Sequence, residues 1–213
     1  MPLEIFSPPL AVALTVYAIG VASPGPSNMA IMATAMSQGR PHAMAMALGV
    51  VCGSLLWGLA AAFGLSTILQ TYSWTLILLK ILGGLYMLLL SWKAARAALQ
   101  VQVVNLPARS GGASKRGCFA RGMGMHLTNP KAVFVWLSIV ALALPPGASQ
   151  RQAFGVVACC AVIGLAVFFG YALAFSTALA RRIYVKAHRW LNVMLSAVFA
   201  FAGFRLLLSR TAA

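Results

Sequence analysis

Two short polar runs break otherwise apolar sequence: Ser23-Pro24-Gly25-Pro26-Ser27-Asn28 and Leu127-Thr128-Asn129-Pro130-Lys131. Proline removes an amide donor and clashes with the preceding turn, and glycine opens conformations other residues avoid, so two prolines around a glycine unwind a helix locally. Ser23-Pro24 and Asn129-Pro130 each have the form of an N-cap followed by proline at the first helical position, so a new helix is expected at each break. The positive ends of these half-helices, joined in the second by Lys131, suit a carboxylate. The carbonyls released upstream suit an ammonium. That pair of sites describes an amino-acid zwitterion. One break alone reads as a kink in a packed helix. Two breaks in corresponding places read as a binding site, because unpaired backbone in lipid is tolerated only against protein or a wet cavity.

Other polar residues stand inside apolar runs. Asn28, Ser27, Ser54 and Tyr86 either line a pathway or bridge helices. His126, one turn before the second break, is either a proton carrier near neutral pH or a hydrogen-bonded packing residue. Lys131 and Lys80 lie deep in such runs, where a charge costs at least ~2.5 kcal/mol. Lys80, about 10 Å into its run by helical rise, either serves the site or snorkels outward. The candidate substrate-binding residues are therefore Pro24, Gly25, Pro26, Ser27, Asn28, Ser54, Tyr86, His126, Asn129, Pro130 and Lys131. Gly49 and Gly53 have the spacing of a close helix contact. Trp57, Phe63, Trp74, Trp92 and Trp136 read as lipid or interface contacts. There is no phosphate loop, His-Glu-x-x-His pair or nucleophile elbow, so neither an enzyme nor a resident metal or cofactor is expected.

The elements that must position these residues follow from composition. With 213 residues, 62% hydrophobic and 8% charged, the chain is not a water-soluble protein. Its +15 charge, with Glu4 the sole acidic residue, lies between the apolar runs. That placement fits loops at an anionic inner leaflet and argues against nucleic acid. A spanning helix needs roughly 20 apolar residues, and six such runs occur, near Leu10 to Met36, His42 to Ser66, Ser73 to Trp92, Phe119 to Leu144, Gln152 to Leu179 and Leu191 to Leu208. They are continuously apolar and not alternating, hence helices and not barrel strands. The expected fold is an all-α polytopic membrane protein. Its six transmembrane helices form two inverted three-helix repeats, each with its first helix broken at the middle. Residues 1–93 form the first repeat, 94–118 a cytoplasmic linker containing Ser110-Gly111-Gly112-Ala113-Ser114, and 119–213 the second. Eleven basic residues fall on one side of the six runs and three on the other, which places both termini outside. No cleavable targeting peptide is expected at the start.

Ser23-Pro24-Gly25-Pro26 with Gln38-Gly39-Arg40, then Lys80-Ile81-Leu82-Gly83-Gly84-Leu85-Tyr86 and Trp92, then Phe119, Gly122 and Asn129-Pro130-Lys131-Ala132, together resemble the LysE/RhtB family of amino-acid exporters. The resemblance covers the whole chain. It implies a bacterial inner-membrane protein that expels amino acids or small derivatives, generally driven by the proton gradient. Two positions depart from the family pattern. Many relatives carry Asp where this chain has Gly53-Ser54, and many carry Asn where His126 stands. With no buried acid as counter-ion, dicationic substrates and divalent metals are disfavoured and a neutral amino acid is expected. Proton coupling would have to use His126, the substrate's own groups or water. Association into homo-oligomers is left open.

A different class of reading is a transmembrane thiol-disulfide oxidoreductase that passes electrons through Cys52 and Cys118. Three of the four cysteines lie in apolar runs, where a thiol is usually a compact packing residue. A scaffold without transport would leave two costly breaks unexplained.

Overall fold

The structure is a computed structural model that describes residues 8–23, 25–65, 73–99, 113–143 and 149–208. Regular structure among them is entirely helical, as apolar runs in lipid require. The elements are α1 (Pro8–Ala22), α2 (Pro26–Gln38), α3 (Arg40–Ala60), which continues through a π turn (Ala61–Leu65), α4 (Ser73–Leu99), α5 (Lys115–Leu127), α6 (Pro130–Ala143), α7 (Gln150–Ala174) and α8 (Ala178–Leu208).

Both expected breaks are present. α1 and α2 have 15 and 13 residues and meet at a bend of 48°. α5 and α6 have 13 and 14 residues and are separated by Thr128 and Asn129. Each piece is about 20 Å long, too short alone for a hydrocarbon layer of about 30 Å. Arg40–Phe63 and Gln150–Ala174 are each long and apolar enough to cross a membrane, and α1 with α2 meets the same condition as a bent pair. The chain is a polytopic membrane protein.

Some boundaries differ from expectation. α4 runs on to Leu99, and α5 starts at Lys115 because Ser114 caps it, its hydroxyl accepting from Gly117 N at 3.2 Å. The expected linker is thus helical at 94–99 and 115–118, while 100–112 lies outside the described residues. α7 ends at Ala174, short of Leu179, and Arg181, Arg182, Lys186 and Arg189 lie on the first turns of α8. Lys and Arg are good helix formers, so a basic run marks a side of the membrane without requiring coil.

The helices form two compact units: α1, α2, α3, α5, α6 and α7 in one, α4 and α8 in the other. In the first, α3 and α5 touch through backbone. Gly49 lies against the Phe119 carbonyl, Gly53 against Met123, and Gly122 against the Met46 carbonyl. The expected small-residue seam is real, and its partner is α5. The core beside it holds Tyr17, Ile31, Met46, Val50, Ile139, Cys160 and Phe168. Gly20 meets Val135, Ser23 meets Lys131 and Ser27 meets His126, so the first broken helix runs antiparallel to the second. In the other unit Gly84 meets Gly203, and the Ser91 hydroxyl donates to the Ser196 carbonyl at 2.8 Å, so α4 and α8 are also antiparallel.

Candidate functional site

The two breaks meet inside the first unit. α1 ends in carbonyls that no following turn takes up, and side chains from elsewhere reach each of them. Val21 O accepts from Asn28 Nδ2 at 2.7 Å, and Ala22 O accepts from the Tyr171 hydroxyl at 2.7 Å. Ser23 O accepts from the Lys131 ammonium at 2.5 Å and from Asn28 Nδ2 at 3.2 Å. Lys131 also donates to Ser23 Oγ at 2.7 Å, and that hydroxyl donates back to Gly20 O at 2.9 Å. A helix C-terminus carries partial negative charge, so an ammonium is well placed there.

The start of α2 departs from expectation. Ser23-Pro24 does not cap it; Gly25, extended at φ −148° and ψ −179°, precedes Pro26 at the head of the helix. Of the two prolines the second takes the first helical position, which leaves Gly25 extended beneath the Lys131 stem. A Cβ at Gly25 would lie 3.1 Å from Lys131 Cδ and Nζ, so glycine keeps that space open. Gly25 at the N-cap has no side chain with which to cap α2. The second break starts as the sequence predicts. Pro130 heads α6 and Asn129 Oδ1 accepts from Lys131 N at 3.1 Å. Of the two helix starts expected to face a carboxylate, the one at Asn129 is therefore answered by its own cap, and the one at Gly25 has no side-chain cap from its own N-cap residue.

Ser27 ties the breaks together. Its Oγ lies 3.0 Å from His126 Nδ1 and accepts from Asn129 Nδ2 at 3.3 Å. His126 packs edge-on to Phe168, with ring centroids 5.7 Å apart. On α3, Ser54 Oγ accepts from Trp136 Nε1 at 3.1 Å and lies 3.3 Å from the Tyr17 hydroxyl.

These groups surround a small cavity of about 20 Å³, room for roughly one water molecule. Gly25, Ser27, Asn28, Ser54, His126, Asn129 and Lys131 of the predicted set line it, together with Tyr17, Trp136 and Phe168. Pro26 and Pro130 head their helices and do not line it. Tyr86 is half-buried on α4, in the other unit, and is not among the lining residues. Pro24 lies outside the described residues, as does the side chain of Lys80. Trp136, expected as a lipid or interface contact, is buried and hydrogen-bonded in the site. Tyr17, Ser23 and Tyr171 are polar groups in apolar runs like those the sequence singled out, and were legible by the same signal. The four cysteines are free thiols, and Cys118 donates to Gln38 Oε1 at 3.6 Å.

The fold and site define a membrane protein in which two broken helices meet at a small cavity lined by aromatic and aliphatic side chains, neutral hydrogen-bonding groups and one lysine. The chain belongs to the family described as LysE type translocator, which it matches over residues 18–210. It is 32% identical over 196 residues to the threonine efflux protein of Escherichia coli K12, covering 92% of this chain and 95% of the relative. It is 30% identical over 197 residues to the threonine efflux protein of Salmonella typhimurium, with the same coverage of each chain. An uncharacterized membrane protein of Haemophilus influenzae is 24% identical over 192 residues, covering 89% of this chain and 91% of its own length. No solved structure matches the chain significantly.

Proposed function

We propose that this protein exports neutral α-amino acids, threonine and its close analogues among them, across the bacterial inner membrane. The observation that carries the reading is the meeting of the two breaks. There the end of α1 presents carbonyls for an ammonium, while the glycine-led start of α2 and the Lys131 ammonium stand ready for a carboxylate. The threonine efflux relatives supply the direction and the substrate class. With Glu4 the only acidic residue in the sequence, the chamber offers no counter-ion to a second positive charge, so lysine and arginine are poor substrates.

The mechanism is alternating access, with the broken helices rocking around the chamber under the proton gradient. Six spans in two inverted repeats, both termini outside, provide the frame. The opposite senses of α1–α2 against α5–α6, and of α4 against α8, support it: three crossings per repeat reverse each helix relative to its counterpart.

Purified protein in liposomes preloaded with threonine is expected to exchange labelled threonine and other neutral amino acids, faster with a pH gradient, and to exchange lysine and arginine weakly. No exchange across that panel would overturn the reading.

A further inference from the structure

We infer that Lys131 is a tethered stand-in for the substrate's own ammonium. Its Nζ occupies the seat on Ser23, and an α-amino acid binds by taking that seat and giving Lys131 its carboxylate in return. The inference rests on the zwitterion reading above and specifies how that site is vacated.

Lys131 is only 8% exposed, yet its ammonium is held by neutral oxygens, the carbonyl and hydroxyl of Ser23. No acidic residue lies among the described residues, and the sequence has only Glu4 to offer. A buried cation without a counter-ion is costly, so a ligand that brings a carboxylate supplies what the protein lacks. The lysine stem crosses Gly25, where the absence of a Cβ leaves it room to pivot.

The exchange conserves what the chamber contains. Before binding, one ammonium sits on Ser23 and no anion is present. After binding, the substrate ammonium sits on Ser23 and Lys131 pairs with the carboxylate, so the net charge is unchanged. Each half of the ligand alone fails. An amine without a carboxylate places two cations within a few ångströms of each other in a poorly solvated space. A carboxylic acid without an amine pairs with Lys131 but draws it from Ser23 and leaves that carbonyl only its longer bond from Asn28 Nδ2 at 3.2 Å. The seat therefore selects zwitterions through competition with the protein's own side chain, which a fixed carboxylate ligand would not do.

The test measures binding of three probes to the purified full-length protein: threonine, 1-amino-2-propanol (threonine without its carboxylate) and 3-hydroxybutyrate (threonine without its amine). For wild type the amine is expected to bind at least about a hundredfold more weakly than threonine, from the repulsion of two unit charges at close range. Lys131→Met empties the seat and is expected to bind the amine at least about tenfold more tightly than wild type does, while losing threonine affinity. Lys131→Gln, which keeps a donor for Ser23 without the charge, guards against a folding defect and is expected to shift the amine in the same direction. Unchanged or weaker amine binding in both folded variants would overturn the stand-in role and leave the exporter reading intact, provided wild type binds and exchanges threonine. Wild type that binds no threonine would sink both.

Discussion

Ser27 of α2 and His126 of α5 stand 3.0 Å apart, Oγ to Nδ1, across ninety-nine positions of sequence. The contact fixes the register between the first break and the turn before the second. It also gives His126 a specific partner, the role that packing and proton carriage both require. The hydrogen bond is interhelical and buried, so its coupling should match those measured between membrane helices, about 0.6 to 1.7 kcal/mol. A double-mutant cycle of Ser27→Ala and His126→Leu, read by thermal unfolding in detergent, is expected to return that coupling. Strict additivity would mean that the pair is adjacent without interacting.

Ser54 Oγ accepts from Trp136 Nε1–H and shares a hydrogen bond with the Tyr17 hydroxyl. Ser54→Ala removes little volume but takes the Ser54 partner from both ring groups in a buried site. Leaving buried donors without partners costs about 1 to 3 kcal/mol. The variant should unfold at lower temperature and change the near-ultraviolet signal of the Trp136 environment, with slowed threonine exchange. If stability and signal match wild type, the Ser54 node is dispensable.

The helical class, the two breaks and seven of the residues lining the chamber were legible because each rests on a local rule. Pro-Gly-Pro must interrupt a helix, Asn-Pro makes a cap and a first turn, and a lysine deep in an apolar run needs a partner. What stayed hidden depends on which helices meet. Trp136 reads equally well as a lipid contact until α3 is placed beside it, bringing Gly58 under its ring and Ser54 to its N–H. Tyr86 resembles Tyr17 and Tyr171 in the sequence, yet α4 lies in a different unit from the chamber. The first break illustrates the same limit at closer range. Ser23-Pro24 has the grammar of a helix start, yet α2 begins at Pro26 after an extended Gly25, and what lies across that glycine is a lysine stem contributed 106 positions later in the sequence.

The thiols provide a test between transport and redox chemistry. All four are free, Cys118 and Cys160 are buried, and Cys118 is engaged with Gln38. Replacing all four with alanine leaves an exporter its chamber, since none lines it. Threonine exchange per folded molecule is expected to stay within about twofold of wild type, because small buried thiols act mainly through packing. Loss of function at normal abundance would instead favour the thiol oxidoreductase reading built on Cys52 and Cys118.

Glycine substitutions should separate by sign. At Gly49 a Cβ would run into the Phe119 carbonyl and the Met123 amide, and at Gly122 into the Met46 carbonyl. These are backbone atoms and cannot swing aside, so α3 and α5 would have to move apart. Overpacking of this kind costs about 1 to 3 kcal/mol. Alanine is also the better helix former, by about 1 kcal/mol, which offsets part of that cost. At Gly124 and Gly170 nothing lies within 4 Å of the added carbon, so only the helix-forming gain remains. Gly49→Ala and Gly122→Ala are therefore expected to lower the unfolding temperature in detergent, and Gly124→Ala and Gly170→Ala to hold or raise it. Since Gly53 of the same seam faces His126, separating α3 from α5 should also slow threonine exchange in the first pair and not in the second. A rise in stability for Gly49→Ala would mean that the two helices do not meet through their backbones.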